Sequence, residues 1–255
     1  MADVTNTEPV PDRATPIVAL DFWMPDAALQ MVDLLGERCD FYKVGSELFT
    51  VAGPAIVRQL VGRGKRVFLD LKFHDIPNTV EKAVAAAADL GASILTVHAS
   101  GGERMIRAAV GNAGAHCQVF AVTVLTSLSG AEINDLWGGG SRADLNADVL
   151  RLAEVAAGAG VAGVVCSGRE APVLRDRFGG ALKLLVPGVR LPGADNDDQT
   201  RVVTPAEAAD AGATYVILGR TVTSSPDPAA AMEKAVASLA GPDYFQRLTQ
   251  NSEQL

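Results

Sequence analysis

Acid and base alternate in one short stretch, Asp70-Leu71-Lys72-Phe73-His74-Asp75. Side chains on a strand alternate between faces, so Asp70 and Lys72 share a face and Asp75 falls in the loop just beyond. At about 4 Å and an effective dielectric near 20, each unlike neighbour is worth roughly 4 kcal/mol and each like neighbour costs as much. An alternating set therefore stays ionised where two bare carboxylates would not. Asp21 and Lys43, each at the end of an earlier apolar run, bring four charges to one rim. Lys43 and Lys72 are expected to hold Asp70 and Asp75 ionised. A lysine flanked by carboxylates is held as the ammonium, which suits a proton donor and not an amine nucleophile. Charges after a strand are otherwise a solvated loop. Val67, Phe68 and Leu69 directly precede this set, so it faces an enclosed mouth, where clustered charge is costly unless it serves something.

A second constellation lies near the carboxyl end. Val186 is followed by Pro187-Gly188-Val189-Arg190, and Leu218 by Gly219-Arg220-Thr221. Glycine lets a ligand approach the backbone, and arginine grips an oxyanion with two parallel hydrogen bonds. Either Gly-Arg alone reads as an ordinary strand end with an exposed arginine; two of them on neighbouring strands point to phosphate and to a phosphorylated small molecule. The polar stretch Leu191 to Thr200 is either a mobile lid over that phosphate or a plain surface loop, and composition does not choose between them.

Rival chemistries find little support. His74, His98 and His116 show no H-x-x-x-H spacing, so no metal is expected. No G-x-S-x-G marks a hydrolase nucleophile. With 30 Asp and Glu against 22 Lys and Arg the formal charge is −8, which argues against nucleic acid as a partner. Cys39, Cys117 and Cys166 lie far apart and are odd in number, which fits a reducing cytoplasm better than a disulfide framework.

The elements that must position these residues recur regularly. Eight β-rich, mostly continuous apolar runs are Ile17–Leu20, Phe41–Val44, Arg66–Leu71, Ser93–Val97, Gln118–Val124, Ala162–Cys166, Leu182–Val186 and Thr214–Leu218. Such runs are the mark of parallel strands buried on both faces. Helical patterns alternate with them. Asn78 is expected to cap a helix opening at Thr79, with Val80, Val84, Ala87, Ala88 and Leu90 as its buried stripe. Thr204-Pro205-Ala206-Glu207 has the capping-box spacing, Asp227-Pro228 opens the last helix, and Gly53-Pro54 opens another. A longer excursion between Thr126 and Val161 holds a short extra helix beginning at Ser129 and a loop at Gly138-Gly139-Gly140. Eight strand–helix repeats predict an α/β fold of the (β/α)8 TIM-barrel type in a single domain over residues 16–240, with a doubly wound sheet as the rival. Strand one carries no G-x-G-x-x-G, so a dinucleotide sheet is unsupported. Residues 1–15 and 241–255 read as tails, residues 1–15 without the apolar core of a signal peptide, and no apolar run approaches 18 residues.

Taken together, Asp70-Leu71-Lys72-Phe73-His74-Asp75-Ile76-Pro77-Asn78-Thr79, Asp21, Lys43, Val122-Thr123-Val124-Leu125-Thr126-Ser127, Val186-Pro187-Gly188-Val189-Arg190 and Gly219-Arg220 resemble the bacterial-type orotidine 5′-phosphate decarboxylases, over about residues 16 to 240. The resemblance implies a homodimeric barrel that turns orotidine 5′-phosphate into uridine 5′-phosphate and carbon dioxide, the last step of pyrimidine nucleotide synthesis, with neither metal nor organic cofactor. Carried over by position, Lys72 gives the proton to the pyrimidine carbon and Asp70 sits beside the departing carboxylate. Lys43 links ribose to the charge array, and Asp21 binds a ribose hydroxyl. Asp75, Ile76 and Thr79 enter the partner subunit's site. Thr126 and Ser127 face the base and Gln199 spans base and phosphate, while Pro187, Arg190, Gly219 and Arg220 belong to the phosphate end. Two alternatives stay open: a magnesium-dependent sugar-phosphate decarboxylase or synthase on a related barrel, and a non-catalytic nucleotide-binding barrel.

Overall fold

The computed structural model of the chain describes residues 14–137, 144–192 and 202–240. Its first half runs β1 (Thr15–Ala19), α1 (Pro25–Leu35), β2 (Phe41–Gly45), α2 (Ser46–Ala52), α3 (Pro54–Gly62), β3 (Arg66–Phe73), α4 (Pro77–Asp89), β4 (Ile94–His98) and α5 (Gly102–Asn112). Next come β5 (Gln118–Val122), α6 (Gly130–Trp137), α7 (Leu145–Gly158), β6 (Gly163–Val165), α8 (Ala171–Phe178) and β7 (Lys183–Val189). The chain then forms α9 (Pro205–Asp210), β8 (Tyr215–Leu218), α10 (Arg220–Thr223) and α11 (Pro228–Leu239). The eight strands are parallel and close in sequence order into a barrel, with β8 paired back to β1. The expected barrel is therefore the observed one.

Alternation along each strand divides the apolar residues between two cores. Ile17, Phe41, Phe68, Ile94, Phe120 and Ile217 point inward and plug the barrel, while a larger core fills the space between sheet and helices. Each such side chain, fully buried, contributes about 1.5–3 kcal/mol relative to exposure. The plug is what leaves the carboxyl ends of the strands as the floor of a cleft.

The start signals mostly act as read. Thr204 Oγ1 accepts from the Glu207 amide while Glu207 accepts from the Thr204 amide, Asp227 accepts from the Ala230 amide, and Ser129 and Glu132 form the same reciprocal box before α6. Asn78 is a correction. α4 begins at Pro77, with Ile76 as its uncapped N-cap, because proline pre-sets the first helical φ and forces the residue before it into extended backbone. A second correction is the amino-terminal boundary: Thr15 already belongs to β1, its amide donating to Thr214 O at 2.8 Å, and Ala14 is buried. The glycine run at 138–140 and most of the 191–200 segment lie outside the described residues.

Candidate active site

β3 departs from regular pairing where the acid–base stretch begins. Leu69 pairs with Leu95 and Phe73 with Val97, so Asp70, Leu71 and Lys72 together stand against the single residue Thr96. Such a bulge re-aims side chains. Lys72 absorbs it at φ 51°, and among the described residues it is the one non-glycine in the left-handed region. The alternation expected for Asp70 and Lys72 thus gives way to a tighter arrangement. Lys72 Nζ donates to Asp70 Oδ2 at 2.8 Å.

From that pair the charges continue across the rim. Lys43 Nζ lies 4.0 Å from Asp70 Oδ2 and donates to Asp21 Oδ1 at 2.7 Å. The side chains of Lys43 and Asp70 are only 11% and 13% exposed, so this inner attraction is screened less than a surface pair would be. The outer members are wetter: Lys72 is 35% and Asp21 56% exposed. The other Asp70 oxygen, Oδ1, accepts from Thr96 Oγ1 at 2.9 Å.

These groups form one wall of a cleft of about 730 Å³, within the usual size of small-ligand sites. Ala19, Phe68, Val165, Leu185 and Ile217 give it an apolar floor, and Thr126 and Ser127, just past β5, form part of its edge. A further wall, at the ends of β7 and β8, carries Pro187, Arg190, Gly219 and Arg220. A second bulge shapes that wall: Val186 pairs with Val216 but Val189 with Leu218, and Gly188, at φ 74°, takes up the extra residue. Arg190 is 8% exposed, its amide donating to Val203 O and its guanidinium to Val189 O. The Leu191 amide donates to Thr221 Oγ1 at 2.9 Å, which ties the two arginine-bearing segments together.

Three of the expected site residues stand elsewhere. Asp75, Ile76 and Thr79 are exposed and do not line the cleft, and Ile76 is 65% exposed. Asp75 accepts from the Ile76 amide and makes no ion pair among the described residues, so the array within one chain ends at Lys72 and Asp75 does not extend it. Gln199 lies outside the described residues. Glu47, Thr223 and Ser224 line the cleft without having been anticipated. Glu47 sits on α2, a short helix with weak sequence signals. Thr96 could have been found by alternation, since Ile94, Thr96 and His98 share the inward face of β4.

His98 packs against His74, ring centroids 5.3 Å apart. Burial first, then the neighbouring His74 and Lys72, lower its pKa from the usual histidine value. No three His, Cys, Asp or Glu side chains among the described residues are grouped to hold a metal ion.

A family model described as orotidine 5′-phosphate decarboxylase / HUMPS family matches residues 15–235. Over 232 residues the chain is 44% identical to the orotidine 5′-phosphate decarboxylase of Nitrosococcus oceani, covering 90% of this chain and 99% of that one. Over 227 residues it is 47% identical to that of Salmonella typhimurium, covering 88% and 91%. The solved structure of orotidine 5′-phosphate decarboxylase from Lactobacillus acidophilus matches with a TM-score of 0.77 at 36% identity, over 89% of this chain and 99% of that one.

Proposed function

The chain belongs to the orotidine 5′-phosphate decarboxylase / HUMPS family, and on that footing we propose that Lys72 delivers the proton that replaces carbon dioxide on the pyrimidine ring. The reaction is the decarboxylation of orotidine 5′-phosphate to uridine 5′-phosphate, a step of pyrimidine biosynthesis, and the chain is a carboxy-lyase. The observation that carries the role of Lys72 is its ammonium, held 2.8 Å from Asp70 on a wall of the cleft that Arg190 and Arg220 also line.

The chemistry explains the arrangement. The bond between C6 and the carboxylate breaks, carbon dioxide leaves, and the electron pair stays on a ring carbon that resonance stabilises poorly. An ammonium aimed at that carbon is worth more as charge develops than in the bound substrate, which is the condition for lowering a barrier. Lys72 then gives its proton to C6 and is re-protonated from water. Asp70 fixes the ammonium: one of its oxygens is engaged by Lys72 and the other by Thr96. Enzymes lower barriers by about 8–23 kcal/mol, and a carbanion this poorly stabilised needs the upper part of that range. Phosphate contacts far from C6 supply organising energy toward it.

The remaining roles follow position in the cleft. Asp21 and Lys43 bind the ribose, Thr126 and Ser127 the base, and Pro187, Arg190, Gly219 and Arg220 the phosphate, with Gln199 between base and phosphate. Asp75, Ile76 and Thr79 complete the site of a second subunit in a homodimer; their exposure outside the chain's own cleft supports that reading. The working compartment is a reducing cytoplasm, in keeping with three buried free cysteines. No helix among the described residues is long and apolar enough to cross a membrane. The direct test is the ultraviolet change of orotidine 5′-phosphate in excess chelator. Turnover that persists supports a decarboxylation that needs no metal, and its loss in Lys72→Ala supports proton delivery by Lys72. A metal requirement favours a sugar-phosphate enzyme working through an enediolate, and tight uridine 5′-phosphate binding without turnover favours a non-catalytic barrel.

A further inference from the structure

Thr96 sits at the middle of β4, 0% exposed, and does not line the cleft. Its neighbours in the strand are Leu95 and Val97, both fully buried and apolar, and a valine would fill the same shape. The hydroxyl therefore has no packing reason to be there. It has a bonding reason. Thr96 Oγ1 accepts from the Lys72 amide at 3.0 Å and donates to Asp70 Oδ1 at 2.9 Å.

A hydroxyl has one hydrogen to give, and this one goes to the carboxylate; its lone pair takes the amide. Asp70 then holds Lys72 Nζ through its other oxygen at 2.8 Å. The result is a closed circuit that begins at the Lys72 backbone and returns to the Lys72 side chain. Both ends need support. The backbone end lies at φ 51°, where L residues rarely sit, inside a bulge that leaves Thr96 as the cross-strand partner of three residues. The carboxylate end is a group free to turn about its last torsion unless one oxygen is pinned.

We propose that Thr96 is a positioning residue for Lys72: its hydroxyl holds the β3 bulge open at the Lys72 amide and orients the Asp70 carboxylate, and so sets where the Lys72 ammonium points. The inference rests on Lys72 as the proton donor. Thr96 touches no reacting atom, so its loss shows in the rate of the chemical step and leaves nucleotide binding nearly intact.

Three substitutions test this in the full-length enzyme. Thr96→Val keeps the shape and deletes the hydroxyl. It is expected to lower kcat by about 100-fold, the usual cost of a misplaced catalytic group, with KM and uridine 5′-phosphate affinity changed by less than about threefold. Thr96→Ser keeps the hydroxyl and is expected to retain kcat within about fivefold. Thr96→Ala differs from Thr96→Ser by the hydroxyl alone, so this pair carries the test if Thr96→Val does not fold; a kcat ratio of about tenfold or more is expected between them. Wild-type kcat in Thr96→Val, equal kcat in the Ser and Ala variants, or a loss confined to KM overturns the inference. Lys72→Ala is the control. Near-normal turnover there removes the proton-donor reading itself, whereas an inactive Lys72→Ala beside a fully active Thr96→Val removes Thr96 alone.

Discussion

A Cβ built on Gly45 would stand 2.9 Å from Lys43 Nζ and 3.2 Å from Asp21 Oδ1. The last residue of β2 thus keeps open the space in which the Lys43–Asp21 ion pair sits. Its φ of −91° is open to any residue, so an alanine here tests space and not backbone. Gly45→Ala must push the flexible end of Lys43 aside. Uridine 5′-phosphate affinity is expected to fall about tenfold, or roughly 1.4 kcal/mol. The melting temperature should move little, because an ion pair with one exposed partner adds at most about 1 kcal/mol. A nucleotide titration beside a thermal melt checks both, and unchanged affinity would mean that Lys43 relocates at no cost to binding.

If Lys72 is the proton donor, Lys72→Ala removes both the proton and the positive charge at C6. General acid catalysis alone is worth about 10²–10⁴-fold, and loss of charge stabilisation adds to it, so turnover should fall roughly 10⁴-fold or more. Nucleotide affinity should change by only a modest factor if Lys72 acts at the carbon and not at the ribose or phosphate. Single-turnover rates at saturating substrate measure the first quantity and product titration the second. Near-normal rates would take Lys72 out of the chemistry.

Arg220 opens α10 just after β8 and lines the same cleft as the lysines. If it grips phosphate, Arg220→Ala weakens uridine 5′-phosphate by about 1.5–3 kcal/mol, the range for hydrogen bonds to charged groups, and leaves uridine unaffected. Calorimetric titration of both ligands separates the cases. Equal losses for nucleotide and nucleoside would point to a general distortion of the cleft.

His98 links acidity to stability. Its pKa in the folded chain lies below the ordinary value of 6.5, chiefly through burial and then through His74 and Lys72, with Asp70 opposing. The unfolded chain therefore binds the extra proton first as pH falls. The contribution of His98 is fully present above about pH 6.5 and is lost as pH drops from there through the lower folded value. His98→Gln should flatten the fall in melting temperature over that acidic window and leave the neutral plateau nearly unchanged. Identical slopes for wild type and variant would show that other groups set the acid limit.

The strand count and the residues at the strand ends are legible because continuous apolar runs and the polar residues that stop them are local features. Asp21, Lys43, Asp70 and Lys72 are brought together by the barrel closure that those runs imply. The bulge is not legible. Its existence depends on how β3 pairs with β4, and a lysine at positive φ carries no local signal. For the same reason the partnership of Lys72 with Thr96, 24 residues away, appears only in three dimensions. Asn78 misleads because two start signals overlap and proline, which acts on the backbone directly, overrides a side chain that can only add a hydrogen bond. Asp75 stands exposed outside the chain's own cleft, and whether it serves a partner's cleft is a matter of assembly, on which local spacing is silent.

That last point can be decided by mixing. Asp75, Ile76 and Thr79 form an exposed edge at the start of α4, outside the chain's own cleft, and Ile76 is 65% exposed. In a two-fold dimer each edge would serve the partner's cleft. Asp75→Ala and Lys72→Ala subunits should each be nearly inactive alone. A mixed dimer then has one site with both substitutions and one with neither. Random pairing makes half the dimers mixed, each with one intact site of two, so about a quarter of wild-type activity should return on co-refolding equal amounts. If Asp75 acts within its own chain, every site in the mixture carries one lesion, and the activity stays at the sum of the two variants.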